Sequence, residues 1–378
     1  MIKSVGVNDY KIKLFEGQYK VENGMAYNSY AVFDEKIAIM DSVECNFREE
    51  WLNNIEKALG SKLPDYLVIQ HMEPDHSACI KAFVEKYPNT ILVGNDKTFK
   101  MINNFFQGLE YKSLVVKEND ELSLGKDKLK FIFAPMVHWP EVMISYLVNE
   151  KVLFSADAFG KFGTTDTNED WLEEARRYYI GIVGKFGQAV LNTFKKLASL
   201  DIQAIYPLHG PILDSNLGFY LEKYQTWASY QPEEKGVLIA CASVYGNTMQ
   251  AAIELKAKLE KNNVKTELYD LTTCDMSEVI AKAFMYDKLV IASISYNGGV
   301  FPCVETFING LKSRLYQNRT VAIIENGSWA PCSKKTITTM LADCKNLKLL
   351  ENFVSINSSL SAENHKQINN LTSELVAD

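Results

Sequence analysis

The stretch HMEPDH, residues 71–76, places four residues of metal-binding types within six positions of a chain that has only five histidines. These residues are His71, Glu73, Asp75 and His76. The stretch follows the apolar segment DYLVIQ, which is typical of a buried strand, and precedes a helical pattern that starts near Ser77. We therefore expect the four side chains to emerge from a strand-to-helix loop.

Further candidate ligands follow other predicted strands. His138 follows FIFAPMV, Asp157 follows VLFSA and His209 follows AIYPL. Each residue alone is more often a capped or solvated side chain. However, four of the five histidines share this arrangement, and only His365 lies elsewhere, in a predicted C-terminal helix. Four strands that each end in a possible ligand predict a metal site along one sheet edge.

The donor types narrow the choice of metal. Imidazoles and carboxylates without thiolate suit iron or manganese and are also workable for zinc. Seven ligands exceed the needs of one tetrahedral ion. The set therefore favours two ions with one carboxylate bridging them.

The ligand pattern resembles the metallo-β-lactamase superfamily, and specifically its flavodiiron branch. It consists of H-x-E-x-D-H, a later H, a D nineteen positions beyond it and a final H. Hydrolytic relatives usually have H-x-H-x-D-H, so Glu73 stands where they have their second histidine. The resemblance implies that Asp157 bridges two irons, with no catalytic residue beyond the metal ligands. One iron would be bound by His71, Glu73 and His138, and the other by Asp75, His76 and His209.

The segment from Gly236 onward alternates predicted strands and helices, which indicates a doubly wound α/β unit. Its first strand, GVLIACA, leads into a loop and then a helix. The loop residues are Ser243, Val244, Tyr245, Gly246, Asn247 and Thr248. Hydroxyls, a glycine and backbone N–H groups at a helix N-terminus can bind phosphate. Neither a Walker A motif nor G-x-G-x-x-G occurs there, which counts against nucleotide sites of those types.

Two later loops of this segment lie at the edge where doubly wound sheets bind ligands. They contain Tyr296, Asn297, Gly298 and Gly299, and then Asn326, Gly327, Ser328, Trp329 and Ala330. Their aromatic residues could instead simply pack in the core. This half of the chain is similar to flavodoxin. The resemblance implies that the 243–248 loop binds the phosphate of FMN and that the two later loops contact its ring.

Composition excludes several classes of function. The 378 residues have a net charge of −7, with no basic cluster for nucleic acid and no apolar run long enough to span a membrane. The N-terminus lacks the features of a secretory signal. Seven cysteines form no C-x-x-C pair and indicate reduced thiols. We expect a cytoplasmic protein with no membrane or nucleic-acid partner.

Two domains are expected on either side of the polar bridge QPEEK. The resemblance implies that residues 1–230 form a metallo-β-lactamase-like αββα sandwich of the α+β class. Residues 236–378 are predicted to form a flavodoxin-like, doubly wound parallel sheet of the α/β class.

The resemblance implies an oxidoreductase with FMN and two non-haem iron ions that reduces dioxygen to water and/or nitric oxide to nitrous oxide. Because the chain stops at Asp378 without a C-x-x-C pair for a fused rubredoxin, it implies rubredoxin or another external reductant. It also implies a homodimer or a dimer of dimers. The sequence does not assign the preferred gas, the flavin potential or the roles of Tyr27, Tyr178 and Tyr179.

Two other functions are compatible with parts of this pattern. One is a dizinc hydrolase with an accessory flavodoxin-like domain, in which metal-bound water attacks an ester, lactam or phosphodiester. The other is an FMN-binding electron carrier without enzymatic activity. Glu73 and the flavin loops argue against the hydrolase, and the full ligand set argues against the carrier.

Overall fold

The computed structural model describes residues 1–377 and contains three large β-sheets. The chain divides into two units between Gln225 and Thr226. The predicted domain limits, 1–230 and 236–378, remain a prediction, and a helix at Leu217–Ala228 runs across the division between the units. Among the described residues, every helix is too short or too polar to cross a membrane.

The first unit is built from short strands and helices. Its strands are β1 (Ile2–Ser4), β2 (Val7–Asp9), β3 (Leu14–Phe15), β4 (Tyr19–Lys20), β5 (Met25–Tyr27), β6 (Tyr30–Phe33), β7 (Ile37–Met40), β8 (Tyr66–Val68), β9 (Ile91–Gly94), β10 (Lys112–Val115), β11 (Glu121–Ser123), β12 (Lys128–Phe133), β13 (Met143–Leu147), β14 (Val152–Phe154) and β15 (Ala204–Tyr206). Its helices are α1 (Arg48–Leu59), α2 (Pro74–Ser77), α3 (Ile80–Lys86), α4 (Asp96–Phe105), α5 (Trp171–Tyr178), α6 (Gly187–Leu197) and α7 (Leu217–Ala228), with 3-10 turns at Cys45–Phe47 and Gly184–Phe186 and a π-helical turn at Tyr179–Val183.

These strands form two principal sheets, with strand orders β1-β6-β7-β8-β9-β10 and β11-β12-β13-β14-β15. Strand β7 shows how the first sheet buries both faces. Ala38 and Met40 join a core that also contains Phe131 and Met143 of the second sheet, whereas Ile39 joins the core beneath the helices. This alternation follows from the two-residue period of a strand. The expected αββα sandwich is confirmed.

Helices cover the outer face of the first sheet. Trp51 of α1, Phe83 of α3 and Ile102 of α4 are fully buried in the core that contains Ile39 of the first sheet. The helical pattern that follows residue 76 in the sequence corresponds to α3. The predicted helix start near Ser77 is wrong, because Pro74 already begins the short helix α2, where the missing N–H of proline costs nothing.

The second unit contains one parallel sheet flanked by helices. Its strands are β16 (Glu234–Ala242), β17 (Thr266–Asp270), β18 (Tyr286–Tyr296), β19 (Gly299–Val300), β20 (Arg319–Asn326), β21 (Leu347–Leu349) and β22 (Val354–Ile356). Its helices are α8 (Asn247–Lys261), α9 (Met276–Met285), α10 (Pro302–Ser313), α11 (Ser333–Leu341) and α12 (Ala362–Ala377). The strand order is β17-β16-β18-β20-β21, and β22 also pairs with β20. All of these pairs are parallel, and only the short β19 pairs antiparallel, with β18. This order is the flavodoxin-like one, which confirms the predicted doubly wound sheet.

The core between the two sheets of the first unit should be sensitive to loss of volume. Phe131 is fully buried there, so Phe131→Ala should lower the free energy of unfolding by about 3–5 kcal/mol. Urea denaturation followed by circular dichroism would measure the change. Leu63→Ala, at a side chain that is 68% exposed, is the control and should stay within about 0.5 kcal/mol of the wild type. A loss of similar size in both variants would contradict the described packing.

Candidate functional site

All seven residues singled out as metal ligands lie in two neighbouring groups in the first unit. One group contains His71, Glu73, His138 and Asp157, and the other contains Asp75, His76 and His209. Within each group the possible donor atoms lie within 4.8 Å of one another. His71, His138, Asp157 and His209 follow the C-terminal ends of β8, β12, β14 and β15. Asp75 and His76 lie in α2, so the expectation that they emerge from a loop is wrong.

The carboxylate of Asp157 faces both groups. Its Oδ2 atom lies 3.2 Å from His71 Nε2 and 3.0 Å from His138 Nε2. Its Oδ1 atom lies 3.3 Å from His76 Nε2 and 3.7 Å from His209 Nε2. One side chain therefore directs one oxygen toward each group, which is the arrangement that a bridging ligand requires.

The spacing of the other donor atoms fits metal ions. His76 Nε2 and His209 Nε2 lie 3.0 Å apart, and each is 3.3 Å from Asp75 Oδ2. Two ligand atoms about 2.1 Å from one ion and roughly 90° apart are separated by roughly 3.0 Å. Within residues 1–377, both oxygens of Asp75 and of Asp157 are buried without a well-oriented hydrogen bond. Bound cations would satisfy these atoms.

Residues behind the imidazoles fix the orientation of two rings. His71 Nδ1 lies 2.9 Å from Glu141 Oε1, and His209 Nδ1 lies 2.7 Å from the carbonyl oxygen of Ala26. Because carboxylate and carbonyl oxygens only accept, both Nδ1 atoms must donate a proton. The lone pair of each Nε2 is then directed toward the candidate metal centre.

Sequence reasoning missed two buried carboxylates beside the ligands. Asp41 accepts hydrogen bonds from the backbone N–H groups of Gln70, at 2.7 Å, and His71, at 3.2 Å. Glu141 accepts one from the N–H of Met72 in addition to its contact with His71. Asp41 directly follows the apolar strand IAIM, and Glu141 lies three residues after His138. Apart from these positions, nothing in the sequence distinguishes Asp41 and Glu141 from other carboxylates.

The charges of the site shift several pKa values in the metal-free protein. Burial alone lowers the pKa of His138, but hydrogen bonds to Asp157 and Glu73 outweigh burial and raise it to about 9. Burial likewise lowers the pKa of His71. The negative charge of Asp157 outweighs burial and raises this pKa well above 6.5. Burial favours protonation of Asp157, but the neighbouring imidazoles hold its pKa well below the ordinary value. In the metal-free protein, the protons on these imidazoles therefore compensate the negative charge of the carboxylates.

Aromatic rings enclose one side of the centre. The rings of Phe15, Tyr27 and Tyr178 have centroids 5.5, 6.1 and 5.4 Å from that of His209. Burial, together with Asp157 and other carboxylates, raises the pKa of Tyr178 well above 10, so its hydroxyl stays neutral. Tyr179 packs instead against Tyr224, at 5.0 Å. Two of the three unassigned tyrosines therefore adjoin the centre.

The predicted flavin loops meet in a cleft of about 790 Å³ in the second unit. Its lining includes all the candidate flavin-binding residues except Gly246 and Gly299. Those that line it are Ser243, Val244, Tyr245, Asn247, Thr248, Tyr296, Asn297, Gly298, Asn326, Gly327, Ser328, Trp329 and Ala330. Four further lining residues were not predicted, namely Ile294, Ser295, Cys332 and Ser358. The volume falls within the usual range for a small-molecule site.

One end of this cleft is suited to a phosphate group. Gly246 has a positive φ of 87° and precedes the 15-residue helix α8, whose N-terminal N–H groups favour an anion. The Ser243 hydroxyl is buried and has no hydrogen-bond partner among the described residues. Tyr245 and Trp329 are each 92% exposed, so their rings are available to a planar ligand. The residues present therefore fit FMN.

Comparisons with known proteins agree with both halves of this description. A family model described as ODP family beta lactamase matches residues 25–210, which include the whole candidate metal centre. The nitric oxide reductase of Moorella thermoacetica is 27% identical over 90% of this chain and 88% of its own length.

Two solved structures match the chain over both units. The flavodiiron protein from Giardia intestinalis is 25% identical, covers 100% of this chain and 94% of its own, and has a TM-score of 0.93. The rubredoxin oxygen:oxidoreductase from Desulfovibrio gigas is also 25% identical, covers 100% and 96%, and has a TM-score of 0.92. The chain is therefore similar in fold and in sequence to flavodiiron proteins, which confirms the resemblance drawn from its motifs.

Proposed function

We propose that this chain is a flavodiiron oxidoreductase that reduces dioxygen to water, nitric oxide to nitrous oxide, or both. Electrons would pass from an external donor through FMN to two non-haem iron ions. The position of Asp157 carries the proposal, because its two oxygens face two separate groups of ligands. The names of the similar proteins, a nitric oxide reductase and a rubredoxin oxygen:oxidoreductase, support the two candidate substrates.

Each ligand group has a chemical role in this proposal. His71, Glu73 and His138 would hold one iron, the other group would hold the second, and Asp157 would join them. When bound, FMN and the iron pair supply the electron-transfer chemistry that these reductions need. The rings of Tyr27 and Tyr178 exclude water from the His209 side of the centre, and the neutral Tyr178 hydroxyl is a proton-bearing group near the carboxylates.

The flavin cleft supports the remaining parts of the proposal. The Ser243 hydroxyl and the α8 N-terminus would bind the FMN phosphate, while the 296–299 and 326–330 loops would contact its ring. Exposed Tyr245 and Trp329 at the cleft favour a surface that another protein covers, either rubredoxin or a similar donor, or a second subunit in a homodimer or dimer of dimers. Seven free cysteines are compatible with the reducing cytoplasm.

Replacing the bridging carboxylate should separate the redox function from the fold. In Asp157→Asn, one oxygen and the negative charge are lost, so iron content should fall below the wild-type level. Gas consumption should fall by at least about 100-fold, because even partners one step removed from a metal are worth about 10–100-fold. After anaerobic reduction, pulses of each gas followed by an oxygen or nitric oxide electrode and by flavin absorbance would measure the rates.

The matched control is His365→Ala, because this fifth histidine lies in α12 and contacts Glu254 rather than the candidate centre. It should keep the wild-type rate and iron content. Electron stoichiometry would identify the substrate, since water formation uses four electrons per dioxygen and nitrous oxide formation uses one per nitric oxide. A purified wild type with two zinc ions and no flavin absorbance would contradict the proposal and favour the hydrolase.

The phosphate end of the cleft gives an independent prediction. Ser243→Ala removes a buried hydroxyl that has no other hydrogen-bond partner within the described residues. A hydrogen bond to a charged group contributes about 1.5–3 kcal/mol, so the FMN dissociation constant should rise roughly 10- to 100-fold. Quenching of flavin fluorescence on titration into deflavinated protein would measure it. Ser373→Ala, on an exposed position of α12, should leave FMN binding unchanged, and an unchanged constant for Ser243→Ala would refute this phosphate site.

Metal removal should create a characteristic dependence of stability on pH. The pKa of His138 in the folded, metal-free protein is about 9, above its ordinary value of 6.5. A raised pKa stabilises the fold fully below about pH 6.5, and this contribution disappears as the pH rises through about 9, with a loss on the order of 1–3 kcal/mol. Thermal melting of chelator-treated protein across this window would detect it. Metal-loaded protein is the control, because the ion would occupy Nε2 of His138. Parallel curves of melting temperature against pH for both forms would contradict the assignment of His138 as a metal ligand.

A further inference from the structure

Glu141 lies directly behind one imidazole of the candidate metal centre. Its side chain is fully buried, and Oε1 lies 2.9 Å from His71 Nδ1 and 2.9 Å from the backbone nitrogen of Met72. The other oxygen, Oε2, has no hydrogen-bond partner in the part of the chain that the structure describes. The carboxylate is therefore directed at His71 rather than at a cation of its own.

The backbone around Glu141 is held in place by α4. Asn95 Nδ2 donates to the Glu141 carbonyl oxygen at 2.6 Å. The side-chain oxygen of the same asparagine accepts from the N–H groups of Lys97 and Thr98 and caps the helix. Because Asn95 is tied to the helix end, the position of Glu141 relative to His71 is fixed by the scaffold.

The other imidazoles have different surroundings at Nδ1. His209 Nδ1 faces a neutral carbonyl, that of Ala26. His76 Nδ1 is buried and has no hydrogen-bond partner within residues 1–377. A carboxylate thus contacts Nδ1 of His71, which belongs to one ligand group. Among the described residues, no carboxylate makes this contact with either histidine of the other group.

We propose that Glu141 is a positioning residue that makes the two metal positions unequal, with tighter binding at the position held by His71, Glu73 and His138. A carboxylate that accepts the Nδ1 proton fixes the tautomer of His71 and increases the basicity of its Nε2. The position that contains Asp75, His76 and His209 lacks this contribution and binds its ion more weakly. The inference rests on the dinuclear site of the proposed function, but it does not depend on which gas is reduced.

Zinc is a suitable probe because it binds the same donors and has no redox chemistry. Metal-depleted full-length protein titrated with Zn²⁺ in a calorimeter should show two dissociation constants that differ by at least about 10-fold. Crystals of wild-type protein loaded with less than one equivalent of zinc should show the anomalous signal at the His71 position. Equal affinities, or a signal at the His209 position, would overturn the inference without any variant.

Substitution then tests the charge itself. In Glu141→Gln, the amide oxygen can still accept from His71 and Met72, so the fold is retained while the charge is lost. The zinc dissociation constant of the tighter position should rise roughly 10- to 100-fold. That of the weaker position should stay within about threefold of the wild-type value. Equal weakening of both constants, or of neither, would overturn the proposed role.

Asp41→Asn is the matched control, because this buried carboxylate supports the same segment through the backbone of Gln70 and His71 and does not contact the imidazole. It should not reproduce selective weakening of the tighter position. If Asp41→Asn does weaken that position selectively, the cause is backbone support of residues 70–71 rather than the negative charge of Glu141 behind His71. The inference then fails. Uptake of fewer than two zinc ions by the wild type would instead refute the dinuclear site, whereas failure to reduce either gas after iron loading would refute only the proposed reaction.

Discussion

The interaction on which the first unit depends is that of the Asp157 carboxylate with imidazoles on both of its sides. Glu73, Asp75 and Asp157 bring three negative charges into a largely buried volume, where two unit charges 4 Å apart interact by about 4 kcal/mol at an effective dielectric constant of 20. Such a cluster persists only if positive charge compensates it. In the metal-free protein, protonated histidines do so, and in the proposed loaded protein metal ions replace those protons. Folding and metal binding are therefore coupled through the same nitrogen atoms.

The scaffold meets this electrostatic demand with short, rigid elements. Strands β8, β12, β14 and β15 bury apolar side chains immediately before the ligands, so each ligand begins from a fixed backbone position. Hydrogen bonds from Gln70 to Asp41 and from Asn95 to the backbone of Glu141 then limit the freedom of the connecting segments. The ligand geometry is consequently a property of the sandwich core as much as of the ligands, as preorganised sites require.

The sequence was most informative where residue types were rare and their context repeated. Four of the five histidines follow apolar segments, and this made the candidate centre predictable from one chain. Glu141 and Asp41 were not predictable, because a single carboxylate beside a strand has the same local pattern whether it is solvated or buried. In the flavin cleft, Cys332 and Ser358 were missed for a related reason: only the tertiary fold brings them beside the predicted loops. The alternation of strands and helices from Gly236 onward, by contrast, was sufficient to predict the parallel sheet of the second unit.

The two candidate sites differ in exposure, and this difference bears on the proposed chemistry. The ligands of the metal centre are mostly buried, and aromatic rings such as Tyr178 close off the His209 side, so a small gas is a more suitable substrate than a bulky ester or lactam. The flavin cleft is open, and Trp329 at its edge is almost fully exposed. An electron donor that is itself a protein needs an open site, whereas reduction of a reactive gas is best controlled in a closed one. An open cleft for electron entry and an enclosed centre for reduction are the features that the proposed oxidoreductase requires and that a simple hydrolase does not.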